Sequence, residues 1–126
     1  MQLNPDCIRD ILLDLEDKTS FKSEVIYNSS NIPTIFPNYK PEEIYYHLRQ
    51  CNLDGLLFNA RQTIDGSCFI ADLTPKAHDF LANIHSDNLW NNVKEVSAKV
   101  GTKSLSAIVQ IASNIVTCII KSQLGM

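Results

Sequence analysis

His47 and Cys51 lie four residues apart in a segment with a helical pattern, so both side chains point to the same side of the helix. An imidazole and a thiolate are two of the four ligands that a tetrahedral zinc site needs. His78 and His85 follow downstream, but H-x-x-x-C by itself is only half of such a site. We therefore interpret the pair as a partly exposed histidine beside a buried cysteine, and we expect no metal.

His78 and Asp79 are the other pair whose residue types could do chemistry, as a general acid and base. Adjacent helical residues point about 100° apart, however, and no motif ties a Ser or Cys nucleophile to them. Glycine-rich phosphate loops of the G-x-G-x-x-G or G-K-[ST] type do not occur in the sequence. The sequence predicts a protein that is not an enzyme and has no cofactor and no small-molecule substrate.

The composition is that of a folded protein of mildly acidic charge. Of 126 residues, 44% are hydrophobic and 20% are charged, and 11 Lys+Arg against 14 Asp+Glu give a net charge of -3. With four Gly and five Pro, this excludes disordered, collagen-like and coiled-coil classes. The first residues lack the pattern of a secretory signal, so we expect a cytoplasmic protein whose four cysteines stay reduced.

Capping signals place the first helix over about residues 5 to 17, with Asn4 as N-cap and Pro5 at the first helical position. Residues 19–40 are irregular, although residues 25–27 could form a brief strand and Asn31 could cap a single turn through Ile35. A helix over residues 41–54 follows, and Gly55 ends it. Its predicted buried stripe is Ile44, Leu48 and Cys51, and its outer side carries Glu42, Tyr46, Arg49, Gln50 and Leu53.

Two apolar runs, residues 56–60 and 68–71, predict a β-hairpin. They are joined through Asp65-Gly66, a pair that a tight turn prefers because both residues tolerate positive φ. Thr74 and Pro75 then begin another helix, and Asp87 is predicted to cap the one after it. That helix carries the apolar residues Leu89, Trp90, Val93, Val96 and Val100, which we interpret as core, and Gly101 ends it.

The last helix, about residues 104–123, has an apolar arc of roughly 200°, which is too wide for one core contact. We expect it to touch its own domain and either a second protomer or a lipid interface. A spanning helix is disfavoured because the uncharged run of residues 104–120 rises only about 26 Å. The predicted oligomer interface is Ile108, Ile111, Ala112, Ile115 and Ile119.

The order helix, short turn, helix, hairpin and helix is typical of a winged helix. Three stretches, residues 3–13, residues 45–48 leading to Gly55-Leu56, and residues 73–90, resemble the YjcQ-like proteins. These are an uncharacterised winged-helix family of Gram-positive bacteria and their prophages. The chain departs from that family at Ala77, where the family usually has Gly, and at residues 30–37, where prolines break the expected second helix.

The predicted fold is therefore mainly α with a small β-hairpin, of the α+β class. Residues 1–86 are predicted to form a winged-helix-like domain, and residues 87–126 a C-terminal helical hairpin for oligomerisation or partner binding. The resemblance implies no activity, because no activity is established for that family.

A winged helix suggests DNA binding, and the predicted contacts are Tyr46, Arg49, Gln50 and Arg61. Residues 41–86 hold three basic and six acidic residues, net -3, whereas residues 87–126 hold four and two, net +2. With Lys40 and Lys76 added to the two arginines, few cations could meet phosphates. Two hypotheses stay open: a homodimeric regulator that touches DNA weakly, and a protein-protein interaction module, an adaptor or inhibitor, without DNA binding. Membrane association is a minor third.

Overall fold

The computed structural model describes residues 1–125, which form six helices and one three-stranded antiparallel sheet. The structure confirms the mainly helical α+β class. The elements in chain order are α1 (Pro5–Lys18), β1 (Val25–Tyr27), α2 (Ile32–Ile35), α3 (Pro41–Leu53), β2 (Leu57–Gln62), β3 (Cys68–Leu73), α4 (Pro75–Ile84), α5 (Asp87–Val100) and α6 (Leu105–Gln123).

Local capping chemistry sets most helix ends where the sequence predicts them. The Asn4 side chain accepts a hydrogen bond from the Asp6 N–H at the start of α1, and Thr74 accepts one from Ala77 at the start of α4. The predicted cap of α5 is wrong by one residue. The Ser86 hydroxyl accepts from the Leu89 N–H at 3.1 Å, and Asp87 is the first helical residue, where its charge faces the positive end of the helix dipole.

The irregular segment contains both short elements that were predicted for it. β1 pairs with β3, and α2 is a single turn that ends before Phe36. Asn31 occupies the N-cap position of α2 without capping it. Its side chain instead accepts from the Asn28 N–H at 2.8 Å and donates to the Ile26 carbonyl at 2.8 Å, so it ties the strand to the turn.

The sheet has the strand order β1-β3-β2. The hairpin between β2 and β3 is confirmed, but its turn is not centred on Asp65-Gly66. The Gly66 N–H donates to the Thr63 carbonyl at 3.0 Å, which places Ile64 and Asp65 in the middle, and only Gly66 has a positive φ, of 91°. The Asp65 carboxylate accepts from the Ser67 N–H at 3.1 Å and from the Thr63 hydroxyl, which holds Asp65 in ordinary backbone geometry.

One continuous core joins the sheet to the helices, and it includes side chains from both parts of the chain that were divided at residue 86. That division stays a prediction. The buried residues of α5 and α6 that enter the core are Trp90, Val93, Leu105, Ile108 and Ala112. Trp90 and Val93 are therefore core, as predicted, whereas Val96 and Val100 are 36% and 68% exposed.

Candidate nucleic-acid and protomer interfaces

Three of the predicted DNA contacts share the outward face of α3. Arg49 is exposed, Tyr46 and Gln50 are half-buried, and the Arg49 Cζ lies 5.9 Å from the centre of the Tyr46 ring. An open groove of about 410 Å³ separates this face from Gln62 on β2. The structure therefore presents Tyr46, Arg49 and Gln50 together on an accessible helix surface.

The fourth predicted contact, Arg61, is held by a carboxylate. Its guanidinium donates two hydrogen bonds to Glu24, at 2.7 and 3.1 Å, and stacks 4.9 Å from the centre of the Phe69 ring. The hydrogen bonds to Glu24 raise the pKa of Arg61. Arg61 and Arg49 line opposite walls of a small groove of about 110 Å³ between α3 and β2. Arg61 is thus near α3, but its charge is paired.

The remaining two predicted cations also differ in availability. Lys76 donates to the Asp54 carbonyl at 2.7 Å, and its Nζ lies 3.1 Å from the Asp54 carboxylate. Lys40 is the N-cap residue of α3. Among residues 1–125, Lys40 and Arg49 form no ion pair, so they are the two predicted cations that a phosphate would meet unpaired.

The structure adds one cation that the sequence analysis did not associate with α3. Lys103 lines an open groove of about 550 Å³ together with Tyr46, Gln50 and the start of α6. Its Nζ donates to the Gln2 side chain at 3.1 Å. No local pattern could have found Lys103, because only the packing of α5 and α6 returns the chain to the side of α3.

His47 is not partly exposed, as we expected, but buried, with 1% of its surface accessible. Both ring nitrogens have hydrogen-bond partners within the protein, and Cys51 beside it is buried as predicted. His78 and Asp79 are exposed. Within the described part of the chain, no group of three or more His, Cys, Asp or Glu side chains could hold a metal ion.

The five predicted interface residues of α6 fall into two groups. Ile108 and Ala112 are 1% and 0% exposed and belong to the core of the chain itself, so they are not accessible to a second protomer. Ile111 and Ile115 are half-buried, and Ile119 is 42% exposed. The first half of α6 is thus covered by its own chain, and the second half is not.

By length and composition α6 could also cross a membrane, and 17% of its most apolar window is buried. Its buried side chains, Leu105, Ile108 and Ala112, lie in the first two turns and face the protein core. The broad apolar arc is therefore covered by protein on one side only.

The sequence model of the family described as "Hypothetical protein (DUF2513)" matches residues 2–103. This range contains α1 to α5 and ends before α6. Neither a curated protein nor a solved structure matches the chain.

Proposed function

The chain belongs to the DUF2513 family, and from this premise we propose that it is a non-enzymatic winged-helix regulatory module that contacts duplex DNA weakly as a homodimer. The YjcQ-like resemblance, a bacterial or prophage setting and a cytoplasmic location are parts of the same proposal.

The topology supports the winged-helix part of the proposal. The element order α1-β1-α2-α3-β2-β3, with the sheet order β1-β3-β2, makes α3 the candidate recognition helix and the β2-β3 hairpin the candidate wing. The prolines shorten α2 to one turn without displacing α3, because Ile32 remains buried in the core and α2 still contacts α3. The broken second helix is therefore compatible with this scaffold.

The observation that carries DNA contact is the accessible set of Tyr46, Arg49 and Gln50 on α3. Arginine and glutamine are suited to reading base edges, and tyrosine and lysine hydroxyl and ammonium groups contact phosphates. Lys103 lies at the edge of this set and would meet the DNA backbone. A helix that presents these side chains on an uncovered face is what major-groove recognition needs.

The charge pattern makes the proposed contact weak. Glu42 lines the same groove as Arg49, and Glu24 neutralises Arg61. Each phosphate contact contributes about 0.9 to the slope of log affinity against log salt, so a protomer with two or three contacts has low affinity at physiological salt. A homodimer would double the number of contacts.

Fluorescence anisotropy with a labelled duplex, measured from 50 to 200 mM salt, tests the proposal. We expect Arg49→Ala/Lys103→Ala to bind more weakly and with a salt slope smaller by about 2, for two lost phosphate or base contacts. Lys18→Ala/Lys22→Ala removes the same charge at the far end of α1 and should bind like the parent. Equal binding by both variants across the salt series would contradict the proposed surface.

The second candidate is a protein-protein interaction module, an adaptor or inhibitor, on the same scaffold. The pairing of Arg61 with Glu24 and of Lys76 with Asp54 favours it, because these contacts withhold two of the four predicted cations from phosphates. A parent protein that fails to bind duplex DNA even at 50 mM salt would select this candidate over the first.

A further inference from the structure

Apolar side chains remain exposed on the second half of α6 and on the adjoining face of α5. Ile119, Ile120 and Leu124 are 42%, 51% and 64% exposed, and Val96 and Val100 extend the surface onto α5. We call these five residues the α5-α6 apolar surface. Scattered exposed apolar residues are ordinary, but a contiguous group of this kind marks an interaction site.

The α5-α6 apolar surface contains an open groove of about 470 Å³. Val96, Ile115 and Ile119 line it, with the Cys118 thiol beside them. Glu95 and Lys99 also line the groove, and they pair with each other at 3.2 Å. A concave apolar strip with a charged rim is the shape that receives the apolar face of another helix.

The charge distribution distinguishes between a lipid surface and a second copy of this chain. An interfacial helix for anionic lipid carries Lys and Arg along its polar face, whereas α6 has a single charged residue, Lys121, and the groove rim has both signs. A second α6 presents an uncharged, apolar partner. Its polar residues Gln110 and Asn114, which hydrogen-bond to each other at 3.0 Å, lie outside the apolar arc.

The same charges decide the direction of pairing. In a parallel pair the two Lys121 side chains would lie side by side and repel each other. In an antiparallel pair each Lys121 lies opposite the uncharged first half of the partner helix, and the negative end of each helix dipole faces the positive end of the other. We propose that two copies of this chain associate by antiparallel packing of α6, with the second half of each helix in the α5-α6 groove of the other.

This pairing gives the homodimer of the proposed function its surface, and in that respect it rests on the proposed function. It concerns the part of the chain that lies beyond the family match at residue 103. Because it involves no residue of α3 or the hairpin, it can be tested without DNA. Its failure is therefore distinguishable from a failure of DNA contact.

Sedimentation equilibrium of the full chain, at micromolar to tens of micromolar concentration and without DNA, tests the pairing. We expect the parent to be a dimer and Ile119→Glu to associate at least about tenfold more weakly, because it places an unpaired carboxylate in an apolar contact. Ser113→Glu adds the same charge on an exposed face of α6 outside the groove and should remain dimeric. Circular dichroism checks that both variants fold, and Leu124→Glu serves as a second probe of the surface.

Cross-linking provides an independent readout. A bismaleimide should convert the parent into a covalent dimer through Cys118, and neither Cys118→Ser nor Ile119→Glu should give this product. A monomeric parent, or an Ile119→Glu protein that dimerises like the parent, would overturn the proposal. A monomer that co-sediments with vesicles of phosphatidylcholine and phosphatidylglycerol would assign the surface to lipid and overturn it as well.

Discussion

The Nε2 atom of His47, on α3, accepts a hydrogen bond from the backbone N–H of Asn4 at 2.8 Å. On the other side of the ring, Nδ1 lies 2.6 Å from the Glu43 carbonyl oxygen, to which it donates. The imidazole is therefore neutral, with its proton on Nδ1. Through this side chain the residue that caps α1 is tied to the candidate recognition helix, 43 positions along the chain.

Replacing this histidine should destabilise the protein. In His47→Leu the volume is nearly kept, but the Asn4 N–H loses its acceptor, and we expect the free energy of unfolding to fall by about 1–3 kcal/mol. Urea denaturation measures the change. His78→Leu is the matched control, because His78 is exposed, and its effect should stay within about 0.5 kcal/mol. Similar losses in both variants would show that the His47 hydrogen bond is not the cause.

Stability should depend on pH through Asp6. Partial burial raises the pKa of this carboxyl, but hydrogen bonds from Trp90 and Lys94, with the charges of Lys94 and Arg9, outweigh it, so the pKa lies below its ordinary value of 3.8. A lowered pKa means that ionised Asp6 stabilises the fold above pH 3.8, and that this contribution is lost as the pH falls through the folded-state value.

We therefore expect Asp6→Asn to be less stable than the parent at pH 7, by roughly 0.5 kcal/mol because the side chain is half exposed, and the difference to shrink below pH 3.8. Urea midpoints at pH 7, 5 and 3.5 give the comparison. Asp79→Asn makes the same change on the exposed side of α4 and should cost less at pH 7. A difference that grows on acidification would reverse the assigned sign.

The four cysteines should react with iodoacetamide at very different rates. Burial, together with the charges of Glu43 and Asp10, raises the pKa of Cys7 to about 12, and burial raises those of Cys51 and Cys68. At submicromolar concentration, where pairing through α6 is disfavoured, we expect exposed Cys118 to react first and Cys68 more slowly. Cys7 and Cys51 should react only in urea. Peptide mass spectrometry would contradict this if Cys51 reacted as fast as Cys118.

Removing the carboxylate that holds Arg61 should strengthen DNA binding. In Glu24→Ala the guanidinium loses its bidentate partner and becomes available to a phosphate, which would steepen the salt slope by about 0.9 for one added contact. Anisotropy titrations over a salt series measure the slope. Glu16→Ala changes the net charge equally without freeing an arginine, so its slope should match the parent. A Glu24→Ala slope equal to that of Glu16→Ala would exclude Arg61 from the contact.

Features that depend on neighbouring residues followed from the sequence. Asn4 and Thr74 cap helices, Gly101 ends α5 in the left-handed conformation, and the apolar spacing of α1 and α4 names the side chains that are buried. The exceptions were also local, since Ser86 and Asp87 can both cap a helix, and the Asp65 carboxylate competes for the turn. Such features are decided within a few residues, where capping and turn chemistry act alone.

The candidate surfaces depended on contacts between distant parts of the chain. The sequence alone named Tyr46, Arg49 and Gln50 as one helix face and predicted that α6 is too apolar for a single contact. Only the tertiary structure pairs Arg61 with Glu24, brings Lys103 beside α3, buries His47 against Asn4 and divides α6 into a covered and an uncovered half. The reason is physical: the charge and exposure of a side chain depend on what the fold packs against it, and residues far apart in sequence supply those neighbours.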